Sequence, residues 1–266
     1  MPQRIPSHAI RGKRVIITGA SSGLGEALAI ACARRGMHLG LVARRLDHLE
    51  RLAERLRDCP MCKGIQIEVA ALDVQETDQV LPILAGLADL LGGVDIVIAN
   101  AGILKARRAG DGKMQHDASM MATNIMGAIA TSEAAIHLFR SAGHGGRLAV
   151  ISSYSALLPL PHAAGYSASK AAVSHYYNAI RGPLQKDGIS VTVVHPGFIK
   201  TDMVDHLWQR NLPFVSRADD VANETLNAIL ARKTNPLVPS HLWSWMYRVQ
   251  RLLPQRVLLA LQQKLP

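Results

Sequence analysis

Six short runs of aliphatic and β-branched residues punctuate the chain: RVIIT (14–18), HLGLV (38–42), IQIEVAA (65–71), DIVIA (95–99), RLAVIS (147–152) and SVTVVH (190–195). Apolar residues follow one another within them, the pattern of strands buried on both faces. Between the runs, apolar positions recur at three- and four-residue spacing, as Leu46, Leu49, Leu52 and Leu56 do, which predicts amphipathic helices. This alternation predicts an α/β protein: a parallel sheet of six to seven strands with helices on both faces. No Pro/Gly/Ser-rich linker, repeat or low-complexity tract divides the chain, so residues 1–240 read as a single domain. Residues 241–266 read as an amphipathic helical extension. Leu242, Trp245, Met246, Val249, Leu252 and Leu253 form its expected apolar stripe, with Arg248 and Arg251 off it and Pro254 interrupting it. Such a stripe suits packing on the domain, on a partner subunit or on a membrane.

Composition narrows the classes. With 266 residues, 48% of them hydrophobic, the chain can bury a sizeable core. The formal charge of +10 favours an anionic partner: nucleic acid, an acidic membrane surface or a phosphorylated cofactor. The arginines occur as scattered pairs (Arg34-Arg35, Arg44-Arg45, Arg107-Arg108) without interleaved aromatics, which argues against nucleic acid. The three cysteines are too few for a disulfide framework. Cys59 and Cys62 form a CxxC, but Cys32 lies in a helical pattern and zinc would need two further ligands, so a loop with reduced thiols and no metal is expected. No apolar run reaches the length of a spanning helix or a secretory leader. A cytoplasmic protein is expected, with peripheral membrane contact through 241–266 as one option.

The first predicted strand runs into TGASSGLG (18–25), which opens a helix. Gly19, Gly23 and Gly25 let the backbone turn and approach a pyrophosphate, whose charge then sits at the positive helix N-terminus. About twenty residues on, an NAD-binding chain carries an acid for the ribose 2′-hydroxyl, whereas VARRLD (42–47) places Arg44 and Arg45 there. A guanidinium suits a 2′-phosphate, so NADP(H) is expected over NAD(H). Asp47 is expected to serve the first turn of the next helix.

In AGYSASKAA (164–172), Tyr166 and Lys170 stand four residues apart, on one helix face. That spacing alone fits packing as well as chemistry. Taken with the other motifs, the stretch from about Lys13 to Arg232 resembles the short-chain dehydrogenase/reductase family. TGASSGLG resembles its cofactor loop, with Ser21 and Ser22 as hydrogen-bonding residues and Leu24 among them. LDV resembles the adenine site (Asp73, Val74), and ANAG its NNAG element (Asn100, Ala101, Gly102), with Ala99 replacing the first asparagine. HPGFIKTD resembles the cofactor-binding proline-glycine turn (Pro196, Gly197) after the sixth strand, where Ile199 and Thr201 would meet the nicotinamide carboxamide. The resemblance implies a Rossmann-type doubly wound sheet and a catalytic set of Asn124, Ser153, Tyr166 and Lys170. Ser152 and Ser155 are rivals for the serine role, spacing favouring Ser153.

The chemistry fits these types. Hydride transfer builds charge on a carbonyl oxygen, which Tyr166 would protonate and Ser153 would stabilise. Lys170 is expected to lower the phenol pKa, and the resemblance gives it the nicotinamide ribose and gives Asn124 a proton-relaying water. Met203, Val204, Leu207, Trp208, Leu212 and Phe214 suggest an apolar lid, with Leu157, Leu158 and Leu160 on the same wall. The expected activity is NADPH-dependent reduction of a hydrophobic ketone, or the reverse oxidation; the alternative is a catalytically silent NADP(H)-sensing or scaffold protein. The resemblance implies a homodimer or homotetramer built on helices starting near Asp117 and Gly165.

Overall fold

The computed structural model describes residues 10–201 and 215–262, with the side chains of 261 and 262 left out. Its sheet is parallel, with strands β1 (Arg14–Thr18), β2 (His38–Ala43), β3 (Ile67–Ala71), β4 (Ile96–Ala99), β5 (Gly146–Ile151), β6 (Ile189–Pro196) and β9 (Leu237–Val238) in the order β3-β2-β1-β4-β5-β6-β9. Two-residue strands β7 (Ile199–Lys200) and β8 (Ser216–Arg217) form a separate pair. The six expected strands are present with ends moved by one or two residues. The seventh is only two residues long, too short for a hydrophobic run to announce it.

Consecutive residues of each strand serve opposite cores. Val15, Ile17, Ile96, Ile98, Ala149 and Ile151 face one, closed by α1 (Gly23–Ala33), α2 (Leu46–Arg57) and α7 (Ala218–Leu230). Ile16, Val97, Ala99, Leu148 and Val150 face the other, closed by α3 (Thr77–Leu90), α5 (Ala128–Ala142) and α6 (Ala164–Gln185). Each fully buried Leu, Ile or Val contributes about 1.5–3 kcal/mol, so both faces of the sheet must be covered, and the helices do this.

Local chemistry sets several boundaries. Asp47 sits in the first turn of α2 and pairs with Arg51 one turn on, while Arg55 and Arg57 occupy the last turn. Cys59 precedes and Cys62 ends a short turn (Pro60–Cys62), both as free thiols. Ahead of α5, α4 (Met114–Met121) runs into a π-helical segment, Ala122–Gly127. The tail forms α8 (Ser240–Leu252) and α9 (Gln255–Gln262), separated at Pro254.

The chain leaves β1 toward β2 and β3 on one side, and β4 to β6 lie on the other. Where the order reverses, between β1 and β4, the loops at the strand carboxyl ends part and leave a crevice.

Candidate active site

Carboxyl-end loops of β1, β2, β3, β4, β5 and β6 line one cavity, and every cofactor position expected from the sequence lies on its wall. The glycine loop forms one end. Gly19 is left-handed (φ 68°), and a Cβ there would lie 2.7 Å from Ala101 Cα. Gly25 admits no Cβ, which would fall 2.2 Å from the Gly19 carbonyl oxygen. These two glycines are therefore required by the seating of the loop on the sheet. Gly23 is left-handed too (φ 59°), and a Cβ on it would also point toward Thr201, 3.4 Å from Cγ2, into the gap between the glycine loop and the loop after β6. The first N–H groups of α1, which begins there, lack helical partners. A cleft kept open by the missing Cβ and edged by helix N–H donors fits a dinucleotide pyrophosphate.

Asn100 fastens this loop to β4. Its Nδ2 donates to the carbonyls of Thr18 (3.0 Å) and Gly19 (3.1 Å), and Thr18 Oγ1 accepts from the Asn100 and Ala101 amides. The Ala99 replacement leaves this lashing intact, since the donors come from Asn100 and Ala101. At the end of β2, Arg44 Nη1 lies 3.6 Å from Asp73 Oδ2. Arg45 reaches back over the glycine loop and donates to Ser21 Oγ (3.1 Å) and Ser22 Oγ (2.8 Å). Of the two arginines the sequence placed here, Arg45 is the guanidinium tied to the glycine loop. A side chain of that reach spans from the start of α2 to the start of α1, which linear spacing does not reveal.

At the other end, Ser153, Tyr166 and Lys170 share a wall. Ser153 follows β5, and its Oγ accepts from the Ser155 amide (3.1 Å), fixing the hydroxyl on the cavity side. The rivals are used otherwise. Ser152 is buried, bonded to the Lys170 carbonyl (3.0 Å) and to Ser174 Oγ (2.6 Å), and Ser155 is buried beneath its turn. Lys170 is buried, and its Nζ donates to the Ile151 carbonyl (2.8 Å), 5.7 Å from the centre of the Tyr166 ring.

The expected lowering of the phenol by the ammonium is corrected here. Burial pushes Tyr166 up to about 12, with a hydrogen bond to Ser153 pulling the other way, and burial pushes Lys170 down to about 8. The reason is direction: Lys170 spends its short hydrogen bond on a backbone carbonyl and not on the phenol.

Asn124 stands apart from the cavity wall. It is buried in the π-helical segment; its Oδ1 accepts from the Ile103 amide (2.8 Å), and Nδ2 donates to the Ile103 carbonyl (2.9 Å) and Ser169 Oγ (3.0 Å). Both amide hydrogens are thus engaged by protein, and the side-chain oxygen accepts one hydrogen bond. What the side chain fixes is the strand-end segment at Gly102. A Cβ on Gly102 would lie 3.3 Å from both Asn124 Oδ1 and Lys170 Nζ.

Pro196, Gly197, Phe198, Ile199 and Thr201 form the remaining wall. Behind it lies a contact the sequence did not suggest: Trp243 of α8 packs against Gly197 so closely that a Cβ would fall 1.8 Å from its ring. Trp243 is 1% exposed, with the Tyr154 ring 4.6 Å and the Phe198 ring 5.6 Å from it. Of the expected apolar stripe, Trp245 (63% exposed) and Leu252 (85%) face outward, and it is Trp243 and Gln250 that face the domain. Periodicity offered an apolar stripe, but the shape of the recess beside Gly197 selects which face docks. The expected lid residues Met203, Val204, Leu207, Trp208, Leu212 and Phe214 lie outside the described residues. Leu160 lines the cavity, joined by Ile103, Leu104 and Phe198, while Leu157 and Leu158 are half-buried nearby.

Comparison with known proteins agrees with the fold. The family described as short chain dehydrogenase matches residues 13–212. An uncharacterised oxidoreductase of Mycobacterium tuberculosis is 36% identical over 247 residues, covering 92% of this chain and 95% of that protein. Among solved structures, a short-chain type dehydrogenase/reductase from Mycobacterium marinum is similar at a TM-score of 0.78 and 28% identity, over 86% of this chain and 94% of that one. An alcohol dehydrogenase from Thermococcus sibiricus, complexed with 5-hydroxy-NADP, is similar at 0.75 and 25%, over 86% and 96%.

Proposed function

The chain belongs to the short-chain dehydrogenase family, and from that membership we propose that it interconverts a hydrophobic ketone and its secondary alcohol with NADP(H). The observation that carries this reading is the arrangement of one cavity: Ser153, Tyr166 and Lys170 at one end, the glycine loop with Arg44 and Arg45 at the other. Two cations and no acid directly after β2 favour a 2′-phosphate, and the similar Thermococcus sibiricus enzyme was solved with an NADP derivative. Ile103, Leu104, Leu160 and Phe198 give the reacting end an apolar lining suited to a hydrophobic substrate.

When bound, the nicotinamide supplies or accepts the hydride. Tyr166 donates the proton to the carbonyl oxygen in reduction and takes it back in oxidation. Ser153, its Oγ held by the Ser155 amide, hydrogen-bonds the same oxygen as charge develops. Lys170 keeps a cation beside the phenol and would also hold the ribose hydroxyls. Asn124 is a positioning residue, clamping the Ile103 backbone so that Gly102 and Lys170 keep their spacing. Assembly as a homodimer or homotetramer through α4 and α6 belongs to the same proposal.

The test is NADPH oxidation, with NADH in parallel, against ketones of rising chain length. Activity rising with chain length and larger with NADPH is expected; preference for small polar ketones would sink the substrate class. Tyr166→Phe should lower turnover by about 10²- to 10⁴-fold while retaining NADPH binding. Unchanged turnover in that variant would overturn the mechanism, and wild-type binding without turnover would identify a sensor.

A further inference from the structure

We propose that the outward face of α8, together with exposed apolar residues of α9, docks on an anionic phospholipid surface. Helix α8 is committed on one side only. Trp243 and Gln250, seven residues apart, lie against the domain, whereas Trp245, Arg248 and Leu252, at i, i+3 and i+7, share the opposite face. On that face Trp245 and Leu252 are largely exposed; beyond Pro254, Val257 and Leu259 of α9, on different sides of that helix, are 42% and 51% exposed. Four of the eleven large apolar side chains exposed among the described residues therefore fall in this short terminal stretch.

Charge decides the occupant. No aspartate or glutamate follows Glu224, while Arg232, Lys233, Arg248, Arg251, Arg256 and Lys264 do. Arg248, Arg251 and Arg256 are exposed beside the apolar residues, and Arg251 lies 5.9 Å from the Tyr247 ring. An acid-free cationic helix carrying tryptophan and leucine beside arginine matches a headgroup region, where apolar side chains enter the acyl boundary and guanidinium groups meet lipid phosphates. A second copy of the chain is disfavoured by the same charges, since a twofold contact through this face would set the arginines of one copy near those of the other. The contact is interfacial: among the described residues no helix is long and apolar enough to cross a membrane.

The experiment is co-sedimentation of the full chain with vesicles of phosphatidylcholine alone, or with about one third phosphatidylglycerol, at low and high salt. The wild type should pellet with the anionic vesicles and be released by salt. Replacing Arg248, Arg251 and Arg256 by glutamine should weaken that binding by about fivefold per arginine. Trp245→Ser with Leu252→Ser should abolish it without changing the melting temperature, because both side chains are exposed in the isolated protein. Absence of wild-type binding, or equal binding to neutral vesicles, overturns the proposal. A lower sedimenting mass of the Trp245→Ser/Leu252→Ser variant in lipid-free solution also overturns it, and identifies the face as a contact between copies.

Discussion

Gln250 of the C-terminal helix holds Tyr154, the residue after Ser153, although 96 positions separate them. Its Oε1 accepts the Tyr154 hydroxyl at 2.7 Å, and its Nε2 donates to the Leu157 carbonyl at 2.8 Å. One amide thus pins both ends of the turn that carries Ser153. Gln250→Leu leaves a half-buried hydroxyl and a carbonyl without partners, at a cost of about 1–3 kcal/mol. The melting temperature should fall and kcat should fall more than KM rises, whereas Gln250→Glu, which keeps the acceptor for Tyr154, should recover part of both. A wild-type kcat in Gln250→Leu would show that the turn does not depend on this clamp.

Arg45 bridges α2 and the glycine loop through Ser21 and Ser22. A charge-assisted hydrogen bond is worth about 1.5–3 kcal/mol, so Arg45→Ala should raise the KM for NADPH by roughly 10- to 100-fold and leave that for NADH nearly unchanged. Arg44→Ala should act in the same direction. Equal losses for both nucleotides would assign the arginines to folding of the loop and not to the 2′-phosphate.

Gly197 and Trp243 are in contact with no room for a methyl group. Gly197→Ala should destabilise by about 1–3 kcal/mol as an overpacked site, seen as a lower melting temperature with red-shifted tryptophan emission. Trp243→Leu in the same chain should restore part of the stability. An unshifted melting curve for the single variant would contradict the close contact.

His195 is 3% exposed, and burial pushes it down to about 4. Between pH 4 and about 6.5 the unfolded chain binds a proton at this position that the folded chain does not. Stability therefore rises with pH across that window and is lost on acidification from 6.5 to 4, by up to about 3 kcal/mol. Urea unfolding at pH 7.0 and 4.5 should show this loss, and His195→Gln, which keeps a polar group near Ser174 Oγ, should show less of it. An identical loss in the variant would place the acid sensitivity elsewhere.

Much of the fold was legible because its physics is local. Runs such as RVIIT are apolar at every position that meets a core, and Val15, Ile16 and Ile17 do alternate between two cores. The glycine loop was legible because Gly19 and Gly25 admit no side chain. What escaped depends on shape or on distance along the chain. The docking face of α8 is chosen by the recess at Gly197, and the Gln250–Tyr154 bond joins segments that no spacing relates. The partners of Asn124 escaped as well, because sequence gives a residue type and not the backbone groups its amide meets.

The π-helical segment that carries Asn124 also does something for the elements on either side. A π turn accommodates one residue more than an α turn, so every later position is rotated by about 100° relative to an uninterrupted helix. Two faces that a straight rod would have presented in line are thereby set at an angle: α4 meets α6, while α5 turns its buried residues toward α3. Deleting a single residue from Ala122–Gly127 would leave helix propensity untouched yet aim Thr131, Ala135 and Phe139 away from the sheet, so the phase of this helix is encoded in the length of that one turn.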